Sequence, residues 1–321
     1  MRAAEVNASV SALHGAGAAG LRMGALVETT KPRITRLVTI TSLLGYGLGA
    51  LTLRPQGLES WVPGLVAAVA GAGLASAGAN TLNQWMERSR DARMARTRSR
   101  PLPSGRLEPS AAAMLGVELC VLGVGLAWAL AGLAPAMLIL ATVLSYLLLY
   151  TPSKPGLWSS TWIGAVPGAL PPVIGWACVD GSWASLGHLG PWALFTMMFV
   201  WQIPHFLAIA WMYREDYAAG GYKVLPVADP SGRWTWAMMV LWAGLLLPVT
   251  VLPPLVIEAM TGWVAVPVGV LAGVWFLGKA VAACRRRTRA DARRVLIASV
   301  VYLPVLMAAW VADAALGLVL R

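Results

Sequence analysis

Asn83, Glu87 and Asp91 stand four residues apart just beyond a long apolar run, in the stretch Asn83-Gln-Trp-Met-Glu87-Arg-Ser-Arg-Asp91-Ala-Arg-Met-Ala-Arg-Thr-Arg-Ser-Arg100-Pro101-Leu102. In a helix each step of four residues turns about 40° past a full rotation, so the three side chains share one face over roughly 12 Å. That face offers hard oxygen donors. Mg2+ takes one or two carboxylates together with waters and phosphate oxygens, so a metal held there would bridge the helix to a phosphate, and Arg96 and Arg100 would add fixed positive charge against the same anion. The plain alternative is a solvated basic loop that only orients a membrane protein. Such a loop has no use for oxygen donors at helical spacing, and carboxylates beside apolar segments are costly unless they are paired or bound to metal.

Two further polar groups have the character to join this one. The segment Trp201–Val227 carries His205 and then Arg214, Glu215, Asp216 and Lys223, and Tyr150 and Lys154 place a phenol and an ammonium four residues apart. Each alone reads as helix-end polarity or an interfacial anchor. Their weight comes from where the rest of the chain would put them.

The elements that must position these groups follow from composition. Of the 321 residues 58% are hydrophobic and only 12% are charged, with a mean hydropathy of +0.67. That is wrong for a soluble domain and right for an integral membrane protein. Apolar stretches of about 20 residues, enough to cross a hydrocarbon core, cover 34–53, 61–84, 111–130, 133–151, 158–178, 190–212, 235–257, 261–283 and 295–319. The expected fold is therefore all-α and integral to the membrane, with nine transmembrane helices in one bundle.

Lys and Arg concentrate in loops that stay in the cytoplasm. With nine spans, all of the 25 basic residues except Arg54 and Arg321 fall on one side if the N-terminus is cytoplasmic and the C-terminus outside. On that topology Asn83–Arg100, Tyr150/Lys154 and Arg214–Lys223 share the cytoplasmic face. The net charge of +11 is then spent at helix ends, with no basic soluble surface for nucleic acid. Cys120, Cys178 and Cys284 form no CxxC pair and read as apolar filler. Residues 1–30 read as a flexible cytoplasmic tail and 31–321 as the membrane domain. The tail lacks an Arg-rich, acid-poor transit character, which favours a plasma membrane.

The pattern N-x-x-x-E-x-x-x-D-x-x-M-x-R-T-x-x-R-P-L resembles the first motif of the heme O synthases (protoheme IX farnesyltransferases), a branch of the UbiA superfamily of intramembrane prenyltransferases. The resemblance continues through Lys31-Pro32-Arg33, Tyr150-x-x-x-Lys154, the Gly164–Trp176 segment, Trp201–Val227 and Ser299–Pro304, and so covers about residues 28–315. It implies that Asn83, Glu87 and Asp91 hold Mg2+ on farnesyl diphosphate while Lys154, Arg96 and Arg100 hold the anion. The farnesyl group would pass to a vinyl of heme B, water would complete the substituent, and heme O would leave, with a heme A-forming enzyme as the partner next in line. Many superfamily members carry D-x-x-x-D in a second motif, whereas here Gly220 follows Asp216 at that spacing. This favours the heme branch over prenyltransferases of aromatic quinone precursors, and it leaves Glu215 and Asp216 as candidates for the second metal shell.

His205 is the only one of three histidines inside an expected span. It either ligates or orients heme iron or, as membrane-helix histidines more commonly do, hydrogen-bonds between helices. Arg214 and Lys223 would flank the same substrate. Glu118 and Asp313 are isolated acids in expected spans with no basic partner in view. Trp61, Trp158, Trp192, Trp234 and Trp263 fall at span ends as interfacial belts, and Trp85 and Trp201 lie nearer the polar clusters. A transporter would place its acids near the midplane and show inverted repeats, and a non-catalytic scaffold would not need the Asn83/Glu87/Asp91 spacing.

Overall fold

The computed structural model describes residues 23–53 and 58–320. Most of the expected tail, with Arg2, His14 and Arg22, lies outside the described residues, as do Arg54 and Arg321. All regular secondary structure among the described residues is helical. Among the described residues eight helices are long and apolar enough to cross a membrane, which shows a multi-pass membrane bundle. These are α1 (Pro32–Leu53), α2 (Trp61–Asp91), α3 (Pro109–Ala131), α4 (Leu133–Ser153), α7 (Leu189–Met212), α10 (Arg233–Val256), α11 (Ala265–Arg286) and α12 (Arg289–Val319). Between α4 and α7, the expected span 158–178 is two shorter helices, α5 (Ser160–Ala169) and α6 (Pro171–Ala177). Pro171 and Pro172 cannot donate the backbone bonds that a continuous helix needs, so the segment breaks where they stand. Two short helices, α8 (Arg214–Ala219) and α9 (Leu225–Ala228), cross from α7 to α10.

The two halves of the bundle pack with different side chains. Around α2, α3 and α4 the buried residues are small, with Ala67, Ala68, Ala72, Ala75 and Ala127 prominent. Helices without bulk approach closely, as membrane helices do where no hydrophobic force drives them together. A Cβ on Gly45 or Gly175 would fall within 2 Å of a backbone oxygen of the facing helix, so α1 and α6 touch backbone to backbone. Around α7, α10, α11 and α12 the core is filled by Trp176, Trp201, Trp236, Trp310, Phe276 and Tyr302. Trp158, Trp192, Trp234 and Trp263 are exposed at span ends, as the belt reading expects.

Two helices carry a wide π turn. Ala67–Gly71 interrupts α2 and Ser145–Tyr150 interrupts α4. Such turns re-aim the side chains that follow them and recur at functional sites. The second lies directly before Thr151 and Lys154.

Candidate active site

The polar end of α2 is assembled from three parts of the chain. Asn83, Glu87 and Asp91 are all buried, with relative exposures of 1%, 7% and 1%, and each meets a different cation. Lys31 Nζ donates to Asn83 Oδ1 at 2.7 Å. Lys154 Nζ donates to Glu87 Oε1 at 2.8 Å, and Arg100 to Asp91 Oδ2 at 2.7 Å. Asn83 also donates to Thr151 Oγ1 at 3.1 Å, which ties α2 to the end of α4. One face of one helix thus carries a ladder of three oxygen groups, each matched to a cation from a separate element.

Each cation is positioned by identifiable local structure. Lys31 precedes Pro32, and a following proline drives a residue out of the right-handed helical region. Its φ of 48° is left-handed, a conformation that costs a non-glycine residue on the order of 1–3 kcal/mol. Burial first, and then Arg100, pulls the Lys31 ammonium down to about 7. Lys154 follows the π turn and lies 4.4 Å from the centre of the Tyr150 ring. Gly164 leaves room for that ring, since a Cβ there would come within 2.5 Å of it. Burial alone would lower Lys154, but the Glu87 carboxylate holds it well above its ordinary value. Arg100 sits in a compact turn region after α2, where Thr97 Oγ1 donates to the Asp91 carbonyl at 2.9 Å and Ser104 Oγ to the Arg100 carbonyl at 2.6 Å.

The segment after α7 closes over this ladder. Arg90 and Arg93 donate to the Gly220 carbonyl at 3.2 and 3.3 Å. Gly221, with φ of 74°, makes a turn that a side chain would strain, and it delivers Tyr222 inward. Tyr222 is 3% exposed, lies 6.0 Å from the Lys154 ammonium, and turns its phenol toward the Glu87 carboxylate. Burial pushes that phenol well above its usual value. Beside Glu87 and Lys154, this phenol is a further hydroxyl donor at the ladder. No local spacing in the sequence marks Tyr222 or Lys31 for this site. The only local marks they carry are the Gly-Gly-Tyr and Lys-Pro turns.

Other expected site residues do different work. Arg96 is exposed and lies over the rings of Tyr213 and Tyr217, at 5.0 and 5.8 Å. Asp216 Oδ1 accepts the Ala95 N–H at 2.9 Å, so it clasps the two loops together. Glu215 is exposed. Among the described residues no three His, Cys, Asp or Glu side chains converge as a metal cluster. Of the expected metal set Asn83, Glu87, Asp91, Glu215 and Asp216, the first three share one face of α2, while Asp216 accepts a backbone N–H and Glu215 is exposed. Arg214 lies 4.7 Å over Trp211. Lys223 is joined to the site through its backbone N–H, which donates to the Lys154 carbonyl at 3.0 Å, while the residue is exposed. Trp85 packs with Ala25, Leu102 and Leu107 beside the ladder.

The two isolated acids separate cleanly. Asp313 is fully buried and accepts from the backbone N–H groups of Thr261, Gly262, Val264 and Ala265 at 2.7 to 3.2 Å. It caps the start of α11, where the first N–H groups of any helix lack internal partners. Glu118 is exposed on the outer face of α3.

The donor set fits Mg2+: two buried carboxylates and an amide oxygen on one helical face, with basic side chains around them for a phosphate. The UbiA prenyltransferase family model matches residues 40–313. The chain is 42% identical over 288 residues to the protoheme IX farnesyltransferase of Solibacter usitatus, covering 87% of this chain and 95% of that one. It is also 42% identical over 286 residues to the protein of that name from Salinibacter ruber, covering 88% and 96%. A UbiA homolog from Archaeoglobus fulgidus, solved bound to GPP and Mg2+, superposes with a TM-score of 0.60 at 15% identity over 89% of this chain and 99% of that one, and so shares its fold. From the family match and the relatives together, the chain belongs to the UbiA prenyltransferase family.

Proposed function

We propose that the chain is a farnesyltransferase acting on heme B, giving heme O and diphosphate. The observation that carries the reading is the ladder of Asn83, Glu87 and Asp91 paired with Lys31, Lys154 and Arg100, together with relatives named protoheme IX farnesyltransferase over most of their length. The A. fulgidus structure with Mg2+ and a prenyl diphosphate supports Mg2+ as the metal here. When bound, Mg2+ supplies positive charge that makes diphosphate a better leaving group.

The chain's own residues would divide the remaining work. Asn83, Glu87 and Asp91 would hold the metal, and Lys31, Lys154, Arg100 and the Tyr222 hydroxyl would meet the diphosphate oxygens. Charge grows on those oxygens as the C1–O bond of farnesyl diphosphate breaks, so fixed cations there stabilise the transition state more than the ground state. The vinyl group of heme B donates its electron pair to C1. Water then adds to the resulting cation and loses a proton, leaving a hydroxyethylfarnesyl substituent. Each buried methylene of the isoprenoid favours the apolar bundle by about 0.8 kcal/mol, and enclosure there delays quenching by bulk water.

The topology belongs to the same proposal. α5 and α6 together would form the ninth span, which places the N-terminus and the basic loops in the cytoplasm, the C-terminus outside, and the ladder at the cytoplasmic face of the plasma membrane. Residues 1–30 would be a cytoplasmic tail to the membrane domain 31–321, and a heme A-forming enzyme would take the product. The test is purified protein with farnesyl diphosphate, Mg2+ and heme B, followed by mass analysis for heme O. Prenylation of 4-hydroxybenzoate with heme B left unchanged would move the chain to the quinone branch, and no product with any acceptor would sink the enzyme reading.

A further inference from the structure

One side-chain group in the bundle is built more tightly than packing requires. His205 on α7 stacks on Trp201, ring centres 4.9 Å apart and planes 27° apart. Both rings are tied to one residue of α12: Trp201 Nε1 donates to the Ser299 carbonyl at 2.9 Å, and His205 Nδ1 lies 2.8 Å from Ser299 Oγ. Ser299 is fully buried, and its hydroxyl lies 2.7 Å from the Leu296 carbonyl, to which it donates.

This chain of bonds decides where the imidazole proton sits. A serine hydroxyl has one hydrogen. At 2.7 Å from a carbonyl oxygen that hydrogen must point at the carbonyl, because two oxygens at that distance without a hydrogen between them repel. Ser299 Oγ is then an acceptor toward His205, and Nδ1 carries the proton. Nε2 is left with its lone pair and no hydrogen-bond partner among the described residues. An imidazole held through Nδ1–H with Nε2 free is the form that binds metals, and the group that holds it sets both ring orientation and ligand strength.

Resting on the reading of heme B as the acceptor, we propose that Ser299 is a positioning residue that locks His205 in the Nδ1–H tautomer, so that His205 Nε2 ligates the iron of the porphyrin substrate. The Trp201 stack and the two bonds to Ser299 restrain the ring before substrate arrives. Iron ligation would anchor the macrocycle at one point while its vinyl edge meets the allylic carbon.

The test adds ferric heme B to the full-length protein in detergent and follows the Soret band and the electron paramagnetic resonance spectrum, with metal-free protoporphyrin IX as a control. The expected result is a histidine-ligated spectrum in the wild type that is lost in His205→Gln and restored by added imidazole. Protoporphyrin IX should bind both proteins equally. Ser299→Ala should weaken heme binding about 10- to 100-fold, the usual effect of removing a group behind a metal-bound histidine, and Ser299→Thr should recover most of it. A wild-type heme spectrum and affinity in His205→Gln would overturn the proposal, as would an equal loss of protoporphyrin IX binding, which would mean packing alone. Farnesyl transfer by the wild type, measured on the same preparation, keeps the two readings apart. If heme O forms while the His205→Gln spectrum is unchanged, only the ligand assignment falls; if the wild type neither binds nor converts heme B, both fall.

Discussion

Asp313 and Glu87 are both buried carboxylates on spanning helices, and they are satisfied in opposite ways. Asp313 is held by four backbone N–H groups that open α11, donors that cannot leave without unwinding a helix end. Glu87 and Asp91 are held by Lys154 and Arg100, long side chains that can swing to another anion. A buried charge needs partners in either case. Partners that belong to the backbone make a structural brace, and partners on flexible stems leave a place that a ligand can enter.

The sharpest way to break this comparison is to remove one acid from each end. Asp91→Ala should lower heme O formation by at least about a thousandfold, ~4 kcal/mol in the barrier, while thermal unfolding in detergent stays near that of the parent. Near-wild-type turnover would remove Asp91 from the metal site. Asp313→Ala should do the reverse. It leaves several N–H groups without acceptors, so stability should fall by about 3 kcal/mol or more while turnover per folded molecule holds. A drop in turnover without a drop in stability would dissolve the contrast.

Smaller changes sharpen it. Lys31→Gly relieves the left-handed backbone and deletes the cation, so KM for farnesyl diphosphate should rise about tenfold, ~1.4 kcal/mol, with KM for heme B unchanged. Lys31→Ala should show the same KM but unfold more easily by about 1 kcal/mol, the cost of a Cβ in that conformation. Equal stability of the two variants would argue that the turn is not strained. Asp216→Asn keeps an oxygen for the Ala95 N–H and removes only charge, so turnover should stay within about threefold, ~0.7 kcal/mol. A loss of a hundredfold or more would make Asp216 a metal ligand instead of a clasp.

What could be read from the sequence was what depends on neighbours a few residues apart. Four-residue spacing put Asn83, Glu87 and Asp91 on one face, and eight of the nine apolar stretches are single spanning helices. The ninth stretch is two helices because hydropathy does not register the backbone bonds missing at Pro171 and Pro172. Arg96 is expected on the anion because nearby charge is all a loop shows in sequence, and its aromatic partners lie far along the chain, Tyr213 on the turn into α8 and Tyr217 within it. Likewise the pairing of Lys31 with Asn83, the Asp216 clasp and the inward aim of Tyr222 join segments whose meeting no local pattern encodes. Asp313 has no basic partner along the chain because the groups that hold it are backbone amides and the Thr261 hydroxyl.

The separations along the chain also set an order of birth for the site. Arg100 follows Asp91 by only nine residues, but Lys154 follows Glu87 by 67. At synthesis rates of roughly 5–20 residues per second, Glu87 waits about 3–13 s for its partner, and the Gly220 turn that carries Tyr222 comes later still. A chain stalled or cut before residue 220 would insert its first helices with the oxygen ladder in place but uncovered.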